Sequence, residues 1–244
     1  MSSIQRFYIS DRISVSGVVF SAEQTLQISK VLRLQVGDSV TVFDGSGKEY
    51  LVELIQVERR KVIGNIVNDV VTDTELPVTI RLFHGLLKNK AQAFLLQKAA
   101  ELGVQEFFPF TSSRNSNKHL GKEHFEKVLV EACEIAGGVC VPKLHEERSF
   151  AELFLDKSLF AVEKSVSLLA WEEEGVSTIV SADVLGNNQV INLLIGCEGG
   201  FSPEEVALAK RNNVHIVSLG KRILRAETAG VVFVSSVLVK LGLI

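Results

Sequence analysis

The residues best suited to chemistry lie in two glycine-containing segments near the C-terminal end of the chain. The first is residues 195–205, IGCEGGFSPEE, and the second is residues 219–230, LGKRILRAETAG. Glu198 and Glu227 could act as general bases, and Arg225 could stabilise an anion that forms during a reaction. The glycines leave the backbone open to a ligand because no Cβ stands in the way. The two segments could therefore line one pocket.

Each segment follows a run of residues that is typical of a short buried strand, Asn192–Ile195 for the first and Val214–Gly220 for the second. Ser202 and Glu205 have the spacing of a capping box, and Pro203 stands where the first helical residue belongs, so we expect a helix to begin there. Turns at the carboxyl ends of strands are where α/β proteins bind cofactors. The glycine turn matches neither standard nucleotide-binding motif, so an ordinary strand-to-helix turn remains the alternative.

Several motifs along the chain resemble, in the same order, those of one known family. They are RFY at residues 6–8, VLRL at 31–34 with Gly37 and Asp38, FDG at 43–45, KAAELGV at 98–104 with Pro109 and Arg114 downstream, GCEGGFS at 196–202 and LGKRILRAETA at 219–229. Together they span nearly the whole chain. By them the chain is similar to the ribosomal RNA uridine-N3 methyltransferases that act on 16S RNA of the small subunit and belong to the knotted SPOUT class.

The resemblance implies an α/β fold class with two domains. Residues 1–72 would form a small PUA-like β-barrel that binds RNA. Residues 75–244 would form a SPOUT methyltransferase domain, with a mostly parallel sheet and a C-terminal trefoil knot. The resemblance also implies S-adenosylmethionine as the cofactor, 16S ribosomal RNA in the small ribosomal subunit as the partner, and a homodimer. The implied reaction transfers a methyl group to N3 of a specific uridine.

The resemblance also implies roles for particular residues of this sequence. The catalytic candidates are Arg225, Glu198 and Glu227. Cofactor binding is expected at Leu194, Gly196, Gly199, Gly200, Leu219, Gly220, Ile223 and Leu224, and contacts with the substrate RNA at Arg6, Arg33, Lys88, Glu101 and Arg114. No metal ligand is expected, because methyl transfer from a sulfonium requires neither a metal nor a covalent nucleophile.

Each of these roles has a structural alternative. Arg225 could form a salt bridge with Glu227. Glu198 and Glu227 could hydrogen-bond backbone amides of the loops instead of acting as bases. Glu101 and Arg114 could equally cap helices or form ion pairs. The glycines and leucines of the cofactor set could simply shape turns and the core.

The chain departs from the family pattern at several positions. Residues 135–138 read IAGG where the family usually has Gln-Ser-Gly-Arg, and Gln27 stands where a histidine is usual. Cys197 replaces a usual proline, and we favour a small apolar filler over a catalytic thiol. The missing arginine could weaken RNA binding unless another arginine replaces it. These departures leave open a methyltransferase of the same fold with a different target, and a noncatalytic RNA-binding factor in ribosome assembly.

The composition is that of a soluble globular protein, with 46% hydrophobic and 23% charged residues. No apolar run is long enough to span a membrane, and the N-terminus lacks the apolar core of a signal peptide, so we expect a cytoplasmic protein. Cys133, Cys140 and Cys197 lack metal-binding spacing, which favours reduced thiols. The net charge of −3 argues against indiscriminate nucleic-acid binding but leaves room for a local basic patch.

The hydrophobic pattern predicts the elements that must position these residues. The first part of the chain reads as β-rich, with a hairpin turn at Asp44–Gly47, and the polar stretch Val71–Pro77 marks a domain boundary. Beyond it, strands are predicted at residues 78–83, 158–162 and 191–195, and helices at 91–102, 123–136 and 205–212. Such alternation predicts a mostly parallel sheet covered by helices. The apolar segment Thr228–Leu243 is expected to be a buried helix or a dimer surface.

Overall fold

The computed structural model of the protein describes residues 5–10, 13, 17–114, 120–160, 162–172 and 185–244. By its internal contacts the chain divides into two compact units. One contains the described residues up to Glu75 together with Cys133–Val141, and the other contains Leu76–Ala132 and Pro142–Ile244. No sequence signal assigns the short segment Cys133–Val141 to the first unit. The predicted domains, 1–72 and 75–244, stay a prediction.

The first unit is built on one five-stranded sheet with the strand order β1-β3-β4-β5-β2. The strands are β1 (Arg6–Tyr8), β2 (Val18–Val19), β3 (Ser39–Phe43), β4 (Glu49–Glu58) and β5 (Lys61–Val70), and the helix α1 (Ala22–Leu26) runs into a π-helical turn at Gln27–Val31. All five strands contribute side chains to one core, which includes Phe7, Val18 and Val62. The sheet is therefore curled, as a PUA-like barrel requires. The turn between β3 and β4 covers the predicted Asp44–Gly47.

The second unit contains a parallel sheet with the strand order β12-β10-β11-β6-β7-β8, and β9 also pairs with β7. Its strands are β6 (Thr79–Gly85), β7 (Glu106–Thr111), β8 (Lys143–Leu144), β9 (Arg148–Ser149), β10 (Ser165–Ala170), β11 (Val190–Ile195) and β12 (His215–Val217). All of these pairings are parallel. The predicted α/β architecture with a mostly parallel sheet is confirmed.

Helices cover both faces of this sheet, so its central strands are buried on both sides. The helices are α2 (Asn89–Glu101), α3 (Lys122–Ala136), α4 (Phe150–Leu155), α5 (Lys157–Phe160), α6 (Pro203–Arg211) and α7 (Ala226–Leu241). Leu82 of β6 joins a core with residues of α2 and α7, whereas the next residue, Phe83, joins a core with residues of α4 and α6. This alternation explains why the strand reads as one continuous apolar run. The predicted C-terminal buried helix is confirmed as α7.

The strand predicted at residues 158–162 is wrong. The structure has the short helix α5 there, and the strand β10 begins only at Ser165. Ala161 lies outside the described residues. The side chain of Asp156 accepts hydrogen bonds from the amide and the hydroxyl of Ser158, at 3.2 and 2.5 Å, and this stabilises a helical turn. Periodicity cannot separate a short apolar run in a helix from one in a strand, so the local cap decides.

None of the helices in the described part of the chain is long and apolar enough to cross a membrane.

A partly buried charge cluster on the sheet makes the stability of the protein depend on pH. The carboxylate of Glu106 accepts hydrogen bonds from Arg81 at 2.7 Å and from His145 at 2.8 Å. Burial alone would raise the pKa of Glu106, but the hydrogen bonds from His145 and Arg81 outweigh it and hold the pKa below 4.5. Burial lowers the pKa of His145 below 6.5, although Glu106 partly opposes this. Both groups favour the folded state less as the pH falls.

We predict that Glu106→Gln destabilises the protein by about 1–2 kcal/mol at pH 7, because the charged partner of Arg81 is lost. The wild-type protein should lose stability as the pH falls below 6.5, when His145 is protonated in the unfolded chain. The stability difference between the variant and the wild type should shrink as the pH falls below 4.5, where Glu106 is protonated first in the unfolded chain and then in the folded protein. Urea unfolding of both proteins, from pH 7 to below pH 4.5, measures the free energy of unfolding. Glu131→Gln, at an exposed position of α3, is the matched control; equal stability of both variants would contradict the prediction.

Candidate active site

A cavity of about 1220 Å³ opens in the second unit at the carboxyl ends of its parallel strands. Ala170 is the last residue of β10 and Ile195 the last of β11, and both line it. The helices α2 and α7 begin at the same cavity, where Lys88 and Arg225 are their N-cap residues. This edge of a parallel sheet is where α/β folds bind ligands. The cavity is the candidate active site.

The glycine turn after β11 forms one wall of the cavity. Gly200 donates its amide to the carbonyl of Cys197 at 2.9 Å and has a φ of +68°, which favours glycine. A Cβ on Gly196 would lie 2.9 Å from the carbonyl carbon of Gly200, so the turn is folded tightly on itself. Beyond the turn, Ser202 and Glu205 form the predicted capping box at the start of α6. The backbone of the turn is thus presented to the cavity in a fixed shape.

Glu198 lies on this turn, lines the cavity and contacts the start of α2. Its Oε1 accepts a hydrogen bond from the backbone amide of Lys88 at 3.1 Å. The amides at the start of a helix have no partner within the helix, so the carboxylate caps α2 from outside. This contact matches the structural alternative for Glu198. Its role as a base stays a prediction.

Arg225 and Glu227 lie together at the start of α7, and both line the cavity. The Arg225 side chain makes no capping hydrogen bond and is exposed. Among the ion pairs of the described residues, none joins Arg225 to Glu227. A cation at a helix N-terminus meets the positive end of the helix dipole, which is unfavourable without an anion nearby. This placement agrees with an anion-stabilising role for Arg225, and that role stays a prediction.

The structure brings only part of the predicted cofactor set to the cavity. Gly196, Gly200, Ile223 and Leu224 line it, and Ile223 is 88% exposed and free to cover a ligand. The described lining residues do not include the other predicted members, which are Leu194, Gly199, Leu219 and Gly220. Leu194 is fully buried on the other face of the sheet because side chains alternate along the strand. The cofactor roles of all eight residues stay predictions.

The residues predicted to contact RNA in the second unit occupy different surroundings. Lys88 lines the cavity. Arg114 donates to the carbonyl of Gly199 at 3.2 Å, and a Cβ on Gly199 would lie 2.9 Å from the Cβ of Arg114. Arg114 therefore packs directly on the glycine turn. Glu101 ends α2 and pairs with Lys98 at 2.7 Å, which matches the ion-pair alternative.

The two candidates in the first unit differ in exposure. Arg6 pairs with Glu49 at 2.5 Å, donates to the carbonyl of Gly138 at 3.0 Å and lies over the ring of Phe43. Its side chain is only 14% exposed, so these contacts favour a structural role within the unit. Arg33 is exposed and adopts a φ of +55°. Arg33 is therefore the more accessible of the two.

Sequence reasoning missed several residues that line the cavity. They are Asn89, Lys90, Ala91, Phe94, Ala170, Glu172, Cys197, Ala226, Thr228 and Ala229, of which only Cys197 was weighed. The missed residues of α2 follow Lys88 directly in the sequence. A second lysine so close to Lys88, Lys90, could have indicated that the start of this helix belongs to the site. Glu172 follows the carboxyl end of β10. Because the strand was predicted at 158–162 instead, the sequence did not place Glu172 at a strand end. Among the described residues, no group of three or more His, Cys, Asp or Glu side chains is placed to hold a metal ion.

Comparison with known proteins defines the class of this fold and site. The profile of an RNA methyltransferase domain matches residues 74–238, and that of an RNA methyltransferase PUA domain matches residues 28–67. Ribosomal RNA small subunit methyltransferase E of Bacillus subtilis is 30% identical over 228 residues, which cover 89% of this chain and 88% of that protein. The chain therefore belongs to the RNA methyltransferase family that contains the ribosomal RNA small subunit methyltransferases E.

Two further relatives span nearly the full length. The enzyme of the same name from Buchnera aphidicola (subsp. Schizaphis graminum) is 26% identical over 98% of this chain and 97% of its own. A crystal structure of that enzyme from Neisseria gonorrhoeae, bound to S-adenosyl methionine, superposes with a TM-score of 0.88 at 27% identity and covers 97% of both chains. The predicted family and fold class are thereby confirmed.

We predict that Gly196→Ala destabilises the protein by about 1–3 kcal/mol, because the added Cβ meets backbone atoms of Gly200 that cannot move aside. Urea unfolding followed by circular dichroism measures the loss. Gly138→Ala is the matched control, since the nearest atom to its Cβ would be the Cys133 sulfur at 3.6 Å. Equal unfolding midpoints for the two variants would show that the turn is not tightly packed.

Proposed function

We propose that this protein is an S-adenosylmethionine-dependent methyltransferase that methylates N3 of a specific uridine in 16S ribosomal RNA of the small ribosomal subunit. One observation carries the proposal. The cavity at the carboxyl ends of the strands lies in a chain that shares its fold, over nearly its full length, with a ribosomal RNA small subunit methyltransferase bound to S-adenosyl methionine. The cofactor, the RNA substrate and the uridine specificity are parts of this proposal.

The cofactor would bind on the glycine turn. Backbone groups of Gly196 and Gly200 offer donors and acceptors to its polar edges, and Ile223 and Leu224 offer apolar cover for the adenine ring. The cavity of about 1220 Å³ is large for a single small ligand, and we propose that a flipped-out base enters it beside the cofactor. No step of this reaction calls for a metal ion.

The chemistry requires a proton to leave N3 before, or while, the nitrogen attacks the sulfonium methyl. Arg225 lines the cavity and would stabilise the negative charge that develops on the uracil ring. Glu227 follows it in the first turn of α7 and is the candidate base, while Glu198 is already engaged with the amide of Lys88. Holding the methyl group and the nitrogen in line supplies a further large part of the rate.

The RNA would be held by cations on both units. In the second unit, Lys88 at the cavity and Arg114 beside the turn are suitable for phosphate, and Glu101 for positioning. In the first unit, Arg33 is exposed, whereas Arg6 reaches RNA only if it leaves Glu49. Phosphate contacts of this kind fix the register of an RNA without reading its sequence. We propose that residues 1–72 form an RNA-binding domain and that residues 75–244 carry out methyl transfer and add the RNA contacts of Lys88 and Arg114.

The proposal extends to the assembly and the location. We propose a homodimer, because the apolar helix α7 carries exposed side chains such as Val239 besides those that it buries in the core. A cytoplasmic location follows from an assembled ribosomal subunit as the substrate.

One observation favours a second candidate, a noncatalytic factor that binds RNA during ribosome assembly. Gly138 stands where the family usually has an arginine. The guanidinium of Arg6 lies 3.0 Å from the carbonyl of Gly138, so a cation is present near this position, although Glu49 partly neutralises it. A binding factor need not keep the cofactor pocket, so cofactor affinity separates the two candidates.

We predict that the protein transfers a methyl group from labelled S-adenosylmethionine to undermodified small ribosomal subunits, and that mass spectrometry of the digested RNA finds N3-methyluridine at one site. Assembled subunits should be methylated faster than naked 16S RNA. Transfer to another atom or another RNA would contradict the specificity. Absence of both transfer and cofactor binding would favour the assembly factor.

We predict that Arg225→Ala lowers turnover by about 10²–10³-fold and leaves cofactor affinity nearly unchanged, because its charge acts on the uracil anion. Single-turnover rates and calorimetric titration separate the two quantities. Arg222→Ala is the matched control, since this exposed arginine of the same loop is not among the described residues that line the cavity. Unchanged turnover in Arg225→Ala would remove it from the catalytic set.

A further inference from the structure

Glu172 is a carboxylate at the cavity that the proposed reaction does not yet use. It lies two residues beyond the end of β10, next to the glycine turn that follows the neighbouring strand β11. It lines the cavity together with Ala170, Gly196 and Gly200. These are residues of the wall on which the cofactor is proposed to bind, and not of the helix starts that carry the cations.

The glycine at position 200 makes room for this carboxylate. A Cβ on Gly200 would lie 3.2 Å from Cδ of Glu172 and 3.3 Å from its Oε2, closer than ordinary contacts allow, and its other oxygen would be closer still. The carboxylate therefore lies close to Gly200 of the glycine turn. Any side chain at position 200 would push it away from the wall of the cavity.

The carboxylate oxygens of Glu172 have no hydrogen-bond or ion-pair partner in the described part of the chain. None of the hydrogen bonds or ion pairs among the described residues includes its carboxylate, whereas Glu198 on the same wall accepts from the amide of Lys88. An ionised carboxylate only accepts hydrogen bonds, and it can accept two in parallel from a suitable ligand. Glu172 thus offers an acceptor pair at the place where a cofactor would expose its donors.

S-adenosylmethionine carries donors that match this acceptor, namely the two ribose hydroxyls and the α-ammonium group. We infer that Glu172 is a cofactor-binding residue whose carboxylate accepts hydrogen bonds from these donors. The inference rests on the proposed function, because it names a contact within the proposed cofactor site.

The test is calorimetric titration of S-adenosylmethionine into the full-length protein and its variants. Glu172→Gln keeps the size of the side chain and removes its charge, and should weaken binding about tenfold or more, the usual effect of losing a hydrogen bond to a charged group. Glu172→Asp keeps the charge and should retain more of the affinity. Glu131→Gln, on the exposed surface of α3, should bind like the wild type. Thermal unfolding of each variant verifies that it is folded.

Methylthioadenosine, which has the ribose but no amino-acid part, identifies the donor. If Glu172→Gln weakens both ligands equally, the carboxylate binds the ribose, and if it weakens only S-adenosylmethionine, the carboxylate binds the charged amino-acid part of the cofactor. Unchanged affinity in Glu172→Gln, with or without a slower methyl transfer, would overturn the inference and leave the proposed function intact. Failure of the wild-type protein to bind S-adenosylmethionine would overturn both.

Discussion

The close approach of backbone to backbone at the ends of the central parallel strands is the constraint on which the candidate site depends. Gly85 ends β6, and a Cβ there would lie 2.9 Å from the Cα of Cys197. Within the turn, a Cβ on Gly196 would likewise lie 2.9 Å from the carbonyl carbon of Gly200. Without side chains at these points, the turn after β11 can lie directly against the end of β6. The helices α2 and α7, which begin at the same edge, then enclose the cavity.

The electrostatic arrangement of the cavity follows from this geometry. Lys88 and Arg225 are the N-cap residues of α2 and α7, and neither side chain caps its helix. Cations at these positions oppose the helix dipole, at a cost of about 0.3–1 kcal/mol each. A fold optimised for stability alone would place Ser, Thr or Asp there, as it does with Ser202 at the start of α6. The cost is offset where an anionic substrate approaches both helix starts.

How much of the fold and of the site could be predicted from the sequence depends on how far apart in the sequence the interacting residues lie. The capping box at Ser202 lies within a few residues of sequence and was predicted correctly. The attachment of Cys133–Val141 to the first unit was not, since it depends on contacts such as that of Glu75 with the amides of Val139 and Cys140, far apart in sequence. The misplaced strand at 158–162 shows a third case, in which two local hydrogen bonds from Ser158 to the Asp156 carboxylate override an ambiguous apolar pattern.

The balance of charge in the cavity explains how a protein of net charge −3 can serve an anionic RNA and a cationic cofactor. The lining holds three cations, Lys88, Lys90 and Arg225, against three carboxylates, Glu172, Glu198 and Glu227, and no histidine is among the described lining residues. Glu172 lies at the glycine turn, whereas the cations lie at the starts of α2 and α7. In the proposed complex, a sulfonium cofactor on the turn would face the carboxylate of Glu172, and the uracil anion and flanking phosphates would face Lys88 and Arg225, whose helix starts also hold Glu198 and Glu227.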